Sequence, residues 1–272
     1  MTDNLGEQIA KLFFSSEIVD LSHLIAEDLP AAWPTHMPLQ IRVWNWFAEQ
    51  TDLHYVKTGI PFQTRWMTLD EHVGTHFDAP PHFIPPSDSG LPYANKWGDV
   101  YGDMIPLKQF MGPAAVIDCT ALAGKAEPGA SPLADLAFIK AWEASHGEFR
   151  SEDIVTFWSG WDKNYAKFPE GEKFGLHVIQ GKSPGWVSPS VEVIEYLFDK
   201  GVRTLATDGA SIGAAHDGIR THVVGLSKGM VYIEGLANLG QLPPRGSFLV
   251  FLPLKIKNSS GAPGRAFAVV PK

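Results

Sequence analysis

Residues 72–82 read His72-Val73-Gly74-Thr75-His76-Phe77-Asp78-Ala79-Pro80-Pro81-His82. Imidazole and carboxylate groups both bind divalent metals, and an ion with an open coordination position activates water at neutral pH. His72 and His76 stand four apart, the spacing that sets two ligands on one face of a helix. A helix is disfavoured here by Gly74 and β-branched Thr75 between them and by Pro80-Pro81 just beyond. An extended strand running into a turn accounts for the segment better. On a strand His76 and Asp78 point to one face. His72 and Gly74 share that parity, so Gly74 is expected to leave room for an ion, and the prolines to swing His82 back towards it. A lone buried histidine is usually a hydrogen-bonded core residue and a lone carboxylate a surface one. The combination of an in-phase Asp with three His favours a metal. Mixed nitrogen and oxygen donors suit Zn²⁺ or Mn²⁺, and the segment does not choose between them.

The rest of the chain sets the context. Its 272 residues, 44% hydrophobic and 19% charged, suffice for one large domain with a sizeable core. A net charge of −8 argues against nucleic acid or an anionic membrane and leaves a small molecule as the expected partner. No apolar run is long enough to span a bilayer, and the N-terminus lacks a basic and hydrophobic leader. Cys119 is the only cysteine, so no intrachain disulfide can form, and a cytoplasmic location is expected. Most of the aromatic residues must be core. Two concentrations stand out: Trp33 with Trp44, Trp46 and Phe47, and Trp158 with Trp161.

Leu5, Ile9, Leu12 and Phe13 recur at helical spacing, so residues 1–17 form an N-terminal helical arm and 18–272 a single domain. Residues 18–21 read as a strand, and 26–64 as irregular loops or a hairpin flap. Strands at 114–119, 153–158 and 202–207 alternate with two helices. Ser131-Pro132 is expected to open the first, which ends near Gly147; Ser188-Pro189 is expected to open the second, over 190–200, stopped by Gly201. Such alternation indicates an α/β domain with parallel pairing. Further strands at 231–233, 248–252 and 266–270 make it mixed and β-rich, with helices flanking the sheet. The stretch 160–187, rich in Gly, Pro and Lys, reads as a surface excursion or lid.

Further ligands must come from elements that fold back onto 72–82. His222 and Glu234 compete with His216 and Asp217 for that role. His23, His36, His54, His146 and His177 lack such context and read as surface or structural.

The pattern His72-x-Gly74-Thr75-His76-x-Asp78-x-Pro80-x-His82 resembles the signature of the metal-dependent cyclase-like hydrolases, a family that includes arylformamidases and isatin hydrolases. Ala32-Trp33-Pro34 is similar to the family's early Trp-Pro element, and Trp158-Ser159-Gly160-Trp161 to its central Thr-Gly-Trp. Residues 233–239, 252–256 and 261–266 resemble its C-terminal blocks. The resemblance implies a swivelling β/β/α-type domain and one or two divalent ions. It implies His72, His76 and Asp78 on the first ion, Asp78 bridging to a second held by His222 and Glu234, and His82 as proton shuttle. Trp33 would line the substrate pocket, and a homodimer or homotetramer is implied. Phe83, next to the shuttle, is a second candidate wall; Trp44 and Trp66 are either walls or core. Arg265 either holds a substrate carboxylate or forms a structural ion pair. Ser211-Ile212-Gly213 departs from relatives that carry Asp after Ser-Ile, and 39–66 is long and aromatic.

The expected reaction is attack by metal-activated hydroxide on the carbonyl of a small aromatic amide, formamide or lactam, opening its C–N bond. Lactone hydrolysis or a cyclisation at the same site, and a non-catalytic metal or small-molecule binding protein, are the alternatives. The last is disfavoured because His82 adds a titratable group that a storage site does not need.

Overall fold

β-branched and small apolar residues dominate the strands, and their alternation divides the core into two layers. The computed structural model describes residues 4–46 and 62–272. The chain opens with α1 (Leu5–Ser15), whose first turn is closed reciprocally by the side chains of Asn4 and Glu7. β1 (Glu17–Asp20) follows, then β2 (Gln40–Trp46) and β3 (Gln63–Thr68), paired antiparallel. Next come β4 (His76–Asp78), β5 (Met111–Asp118), β6 (Leu133–Ala134), α2 (Leu136–His146) and β7 (Ile154–Trp158). The chain continues through α3 (Leu176–Ile179), β8 (Ser188–Pro189), α4 (Val191–Asp199), β9 (Thr204–Thr207) and α5 (Gly218–Leu226). β10 (Val231–Glu234), β11 (Phe248–Pro253) and β12 (Gly261–Val270) complete it.

The main sheet runs β1-β12-β11-β5-β7-β9-β10-β4, and β4 also pairs with β12. The strands from β12 round to β4 therefore close into a mixed barrel, with β1 appended to β12. β5, β7, β9 and β10 are parallel neighbours, the α/β core expected from the alternation of elements. Phe77, Phe110, Val116, Val231, Ile233 and Phe251 fill one cluster enclosed by the barrel. Residues of opposite parity, among them Ile117, Val155, Leu205 and Tyr232, pack outside it beneath α2, α4 and α5.

Some local expectations are corrected, and for others the structure decides between the alternatives. Ser131-Pro132 does not open α2: Asp135 is the cap, its side chain accepting the Phe138 N–H at 2.8 Å. The residues before both helices are instead committed to the short parallel pairing of β6 with β8, so α4 begins after Ser190. The stretch 160–187 folds into short helical turns that wall a cavity. Arg265 pairs with Asp20 and is structural, its Nε standing 3.0 Å from Oδ1. The flanks of the 26–64 flap form the β2–β3 hairpin, and Trp44 and Trp66 are exposed on it; Phe47 and His54 lie outside the described residues. No helix among the described residues is long and apolar enough to cross a membrane.

Barrel closure brings β12 hard against β4, with Gly261 opposite Asp78. A Cβ on Gly261 would lie 2.3 Å from the Phe77 carbonyl oxygen and 2.8 Å from His72 Nε2. Gly261→Ala should therefore destabilise the protein by about 1–3 kcal/mol through overpacking. Denaturant unfolding checks this; an unchanged midpoint would show that the closure tolerates a methyl group.

Candidate metal centre and substrate cavity

β4 carries His76 and Asp78 on one face because Phe77 between them is buried in the barrel. Antiparallel pairing with β10 sets Glu234 directly opposite His76, so the downstream carboxylate arrives by strand register. His222 comes from α5, which packs outside the barrel and lays the imidazole over the same face. The rival pair stays apart: His216 Nδ1 accepts the Ser131 N–H and Asp217 pairs with Arg220. Pro80-Pro81-His82 form a tight helical turn, and the His82 ring returns to lie tilted against that of His72, with centroids 3.9 Å apart. The segment before β4 differs from expectation. Gly74 has φ +63°, so the chain turns there, and the strand parity drawn for His72 and Gly74 does not apply. The turn aims the Gly74 carbonyl at His76 Nδ1, 3.0 Å away.

Each of three histidines is held by Nδ1. His76 donates to Gly74 O, His222 to Gly218 O at 2.5 Å, and His72 to Asp70 Oδ1 at 3.3 Å. With Nδ1 committed as a donor, all three rings turn Nε2 towards the buried carboxylates. Asp78 Oδ1 lies 3.5 Å from His72 Nε2 and 3.7 Å from His76 Nε2; its Oδ2 lies 3.4 Å from His222 Nε2. Glu234 spans His76 and His222 at 3.6 Å from each. These gaps are long for hydrogen bonds, but they match the ~3.4 Å edge of a tetrahedron with ligand bonds of about 2.1 Å. Among the described residues Asp78 has no hydrogen-bond donor to either oxygen although it is 1% exposed, and His72 Nε2 is equally without a partner. A buried charge in that state calls for a cation, and the donor set fits a divalent metal.

The electrostatics agree. Burial opposes charge on Asp78, yet the imidazoles of His82, His222, His72 and His76 hold its carboxyl well below the usual range. Burial likewise disfavours charge on His222, but Asp78 and Glu234 outweigh it and raise that group to about 10. The site thus draws positive charge strongly. His82 is different: burial pushes it down to about 4, and its Nε2 stands 4.0 Å from Asp78 Oδ2.

A cavity of about 670 Å³ opens above these groups. Trp33, Phe83, Phe174 and Trp186 wall it, and Phe83 lies flat on the His222 ring at 4.1 Å. Trp186 is fixed from behind, its indole N–H donating to Gly213 O and its ring meeting Trp161 edge-on. The Ser159–Trp161 turn is in turn cradled by buried Asp208, which accepts from Ser159 N, Ser159 Oγ and Trp161 N. Burial raises the Asp208 carboxyl to about 6 despite these donors.

The structure thus assembles His72, His76, Asp78, His82, His222 and Glu234 in one cluster, with Trp33 and Phe83 on the cavity wall. The sequence reading missed Asp70, Ser211, Trp186 and Asp208. Ser211 Oγ donates to Glu234 Oε1 at 3.1 Å and lies 3.2 Å from His222 Nε2. Its place in the departure from the Ser-Ile-Asp pattern was the one available signal.

Comparison with known proteins agrees with this geometry. The family model described as "Putative cyclase" matches residues 19–214. An isatin hydrolase from Roseibium aggregatum is 36% identical over 226 residues, covering 80% of this chain and 79% of its own. A kynurenine formamidase from Salinibacter ruber is 29% identical over 252 residues, covering 92% and 95%. Among solved structures, an isatin hydrolase bound to the product analogue thioisatinate superposes with a TM-score of 0.77 at 29% identity over 98% of both chains. The family match takes in the whole 72–82 segment and the strands from β2 to β9, and on that basis the chain belongs to the cyclase family.

Proposed function

We propose that the chain is a metal-dependent hydrolase that opens the C–N bond of a small aromatic amide, formamide or lactam. The observation that carries this reading is the Asp78 carboxylate, buried without a donor and faced by imidazole Nε2 atoms at the floor of an aromatic cavity. Relatives named for isatin, a bicyclic lactam, and for the formamide of kynurenine point to the same bond.

His72, His76 and Asp78 would hold the ion, for which Mn²⁺ and Zn²⁺ both suit the donors. Of the unpartnered atoms, His72 Nε2 and Asp78 Oδ1 lie on this side of the cluster, while Asp78 Oδ2 faces His222. On the other side Ser211 and the Ile212 N–H already satisfy Glu234 Oε1, so the hydrogen bonds favour one ion, with His222 and Glu234 as a second, partly closed position. A bound ion supplies Lewis acidity at the carbonyl and lowers the pKa of water towards neutrality.

The chain's own residues do the rest. Trp33, Trp186 and Phe83 grip a flat ring and exclude water. His82 is uncharged at neutral pH, so it can take a proton from the nucleophile and deliver it to the leaving nitrogen. Nearby Asp78 stabilises the imidazolium formed between the two transfers. The exposed apolar face of α1, with Leu5, Ile9 and Leu12, supports a homodimer or homotetramer. The single buried cysteine suits a reducing cytoplasm.

Chelated protein reconstituted with Mn²⁺ or Zn²⁺ should hydrolyse isatin or an N-formyl arylamine, and chelation should abolish that turnover. Clear hydrolysis of an aromatic lactone with none of any nitrogen-acyl compound would contradict the choice of bond. His82→Ala should keep its metal and lose about 10²–10⁴-fold in kcat. A folded variant that instead loses metal would place His82 among the ligands.

A further inference from the structure

Asp70 lies two residues before His72. Its Oδ1 accepts the His72 backbone N–H at 2.9 Å and faces His72 Nδ1 at 3.3 Å and His36 Nδ1 at 3.2 Å. One carboxylate oxygen thus holds two imidazoles by the same ring nitrogen. A carboxylate only accepts, so both Nδ1 atoms carry the proton and both rings turn Nε2 away from Asp70. For His72 that nitrogen faces Asp78. For His36 it has no partner among the described residues, and the ring lines the cavity with its centre 6.0 Å from that of His72. A tight turn, in which the His36 N–H donates to Trp33 O at 2.8 Å, sets His36 and Trp33 on one wall.

We propose that Asp70 is a positioning residue serving two rings, fixing His72 towards the ion and His36 as the hydrogen-bond acceptor for the amide N–H of the substrate. The second half rests on the C–N hydrolase reading. In a simple lactam or formanilide the amide N–H is the only donor, and burying it unpaired is costly. His36 Nε2 satisfies it in the amide plane. The nitrogen lone pair, which emerges out of that plane as the carbonyl becomes tetrahedral, stays available for the proton from His82. The dyad thereby selects secondary amides over N-alkylated ones.

The test compares Asp70→Ala, His36→Leu and His36→Gln with wild type. Metal affinity is read by competition with a chromogenic chelator, and kcat/KM on isatin and N-methylisatin. Asp70→Ala should weaken metal binding 10–100-fold, the usual effect of removing the partner that orients a ligating histidine. His36→Leu should leave metal affinity unchanged and lower kcat/KM for isatin by about tenfold, with little change for N-methylisatin. His36→Gln, whose amide oxygen can accept, should recover part of the loss. Unaltered metal affinity in an Asp70→Ala protein whose chelated form melts like chelated wild type would overturn the first half. Where the alanine variant does not fold, Asp70→Asn keeps an acceptor and should show a smaller loss of affinity; wild-type affinity there would also overturn it. Equal losses on both substrates in His36→Leu would overturn the second half. If wild type turns over neither substrate, formanilide and N-methylformanilide replace them; no hydrolysis of any of the four sinks the C–N reading and the role of His36 with it, while chelator competition still judges Asp70.

Discussion

A carboxylate buried with no donor to either oxygen costs several kcal/mol, because the lost hydration is not replaced. Asp78 is such a group, and the surrounding architecture compensates it with cation-seeking geometry. Three imidazoles are pinned by Nδ1 to two backbone carbonyls and one carboxylate, so that their Nε2 atoms converge on Asp78 and Glu234. Two buried carboxylates at the focus of these rings demand positive charge, whether as protons on the imidazoles or as a metal ion. A divalent ion would displace those protons and turn the cluster into a folded-state binding site.

The barrel supplies the rigidity this needs. β4 is only three residues long, yet it is hydrogen-bonded on both edges, to β10 and to β12, and it closes the sheet. A one-residue slip would send Phe77 into the metal cluster and Asp78 into the apolar barrel, so register is fixed by the burial of Phe77. That register also places Glu234. The closing strand and the metal strand are the same element, which ties the integrity of the site to that of the fold.

Much of this was legible in the sequence, because it was local or periodic. The His76–Asp78 parity, the return of His82 after two prolines and the alternation of strands and helices all follow from backbone preferences within a few residues. What was not legible depends on long-range contacts. Asp70 is one acidic residue among many, and only folding brings His36 to it. Trp186 becomes a wall because Gly213 and Trp161 meet it from distant elements. Local sequence makes Gly74 a spacer on an extended strand, but in the fold it is left-handed and its N–H donates to Ala31 O, a partner more than forty residues away in the chain. The start of α2 differs for a related reason: Ser-Pro pairs suit both a first helical turn and the approach to a short strand, and pairing of β6 with β8 decides between them, while α4 begins within a residue of its expected start.

The central claim is that Asp78 and the histidines around it form a metal site. It is tested most directly by anomalous diffraction from crystals of the protein grown with Mn²⁺ or Zn²⁺. The account predicts a strong anomalous peak enclosed by His72 Nε2, His76 Nε2 and Asp78, with any second, weaker peak between His222 and Glu234. No peak at saturating metal, or a peak confined to surface carboxylates, would contradict it.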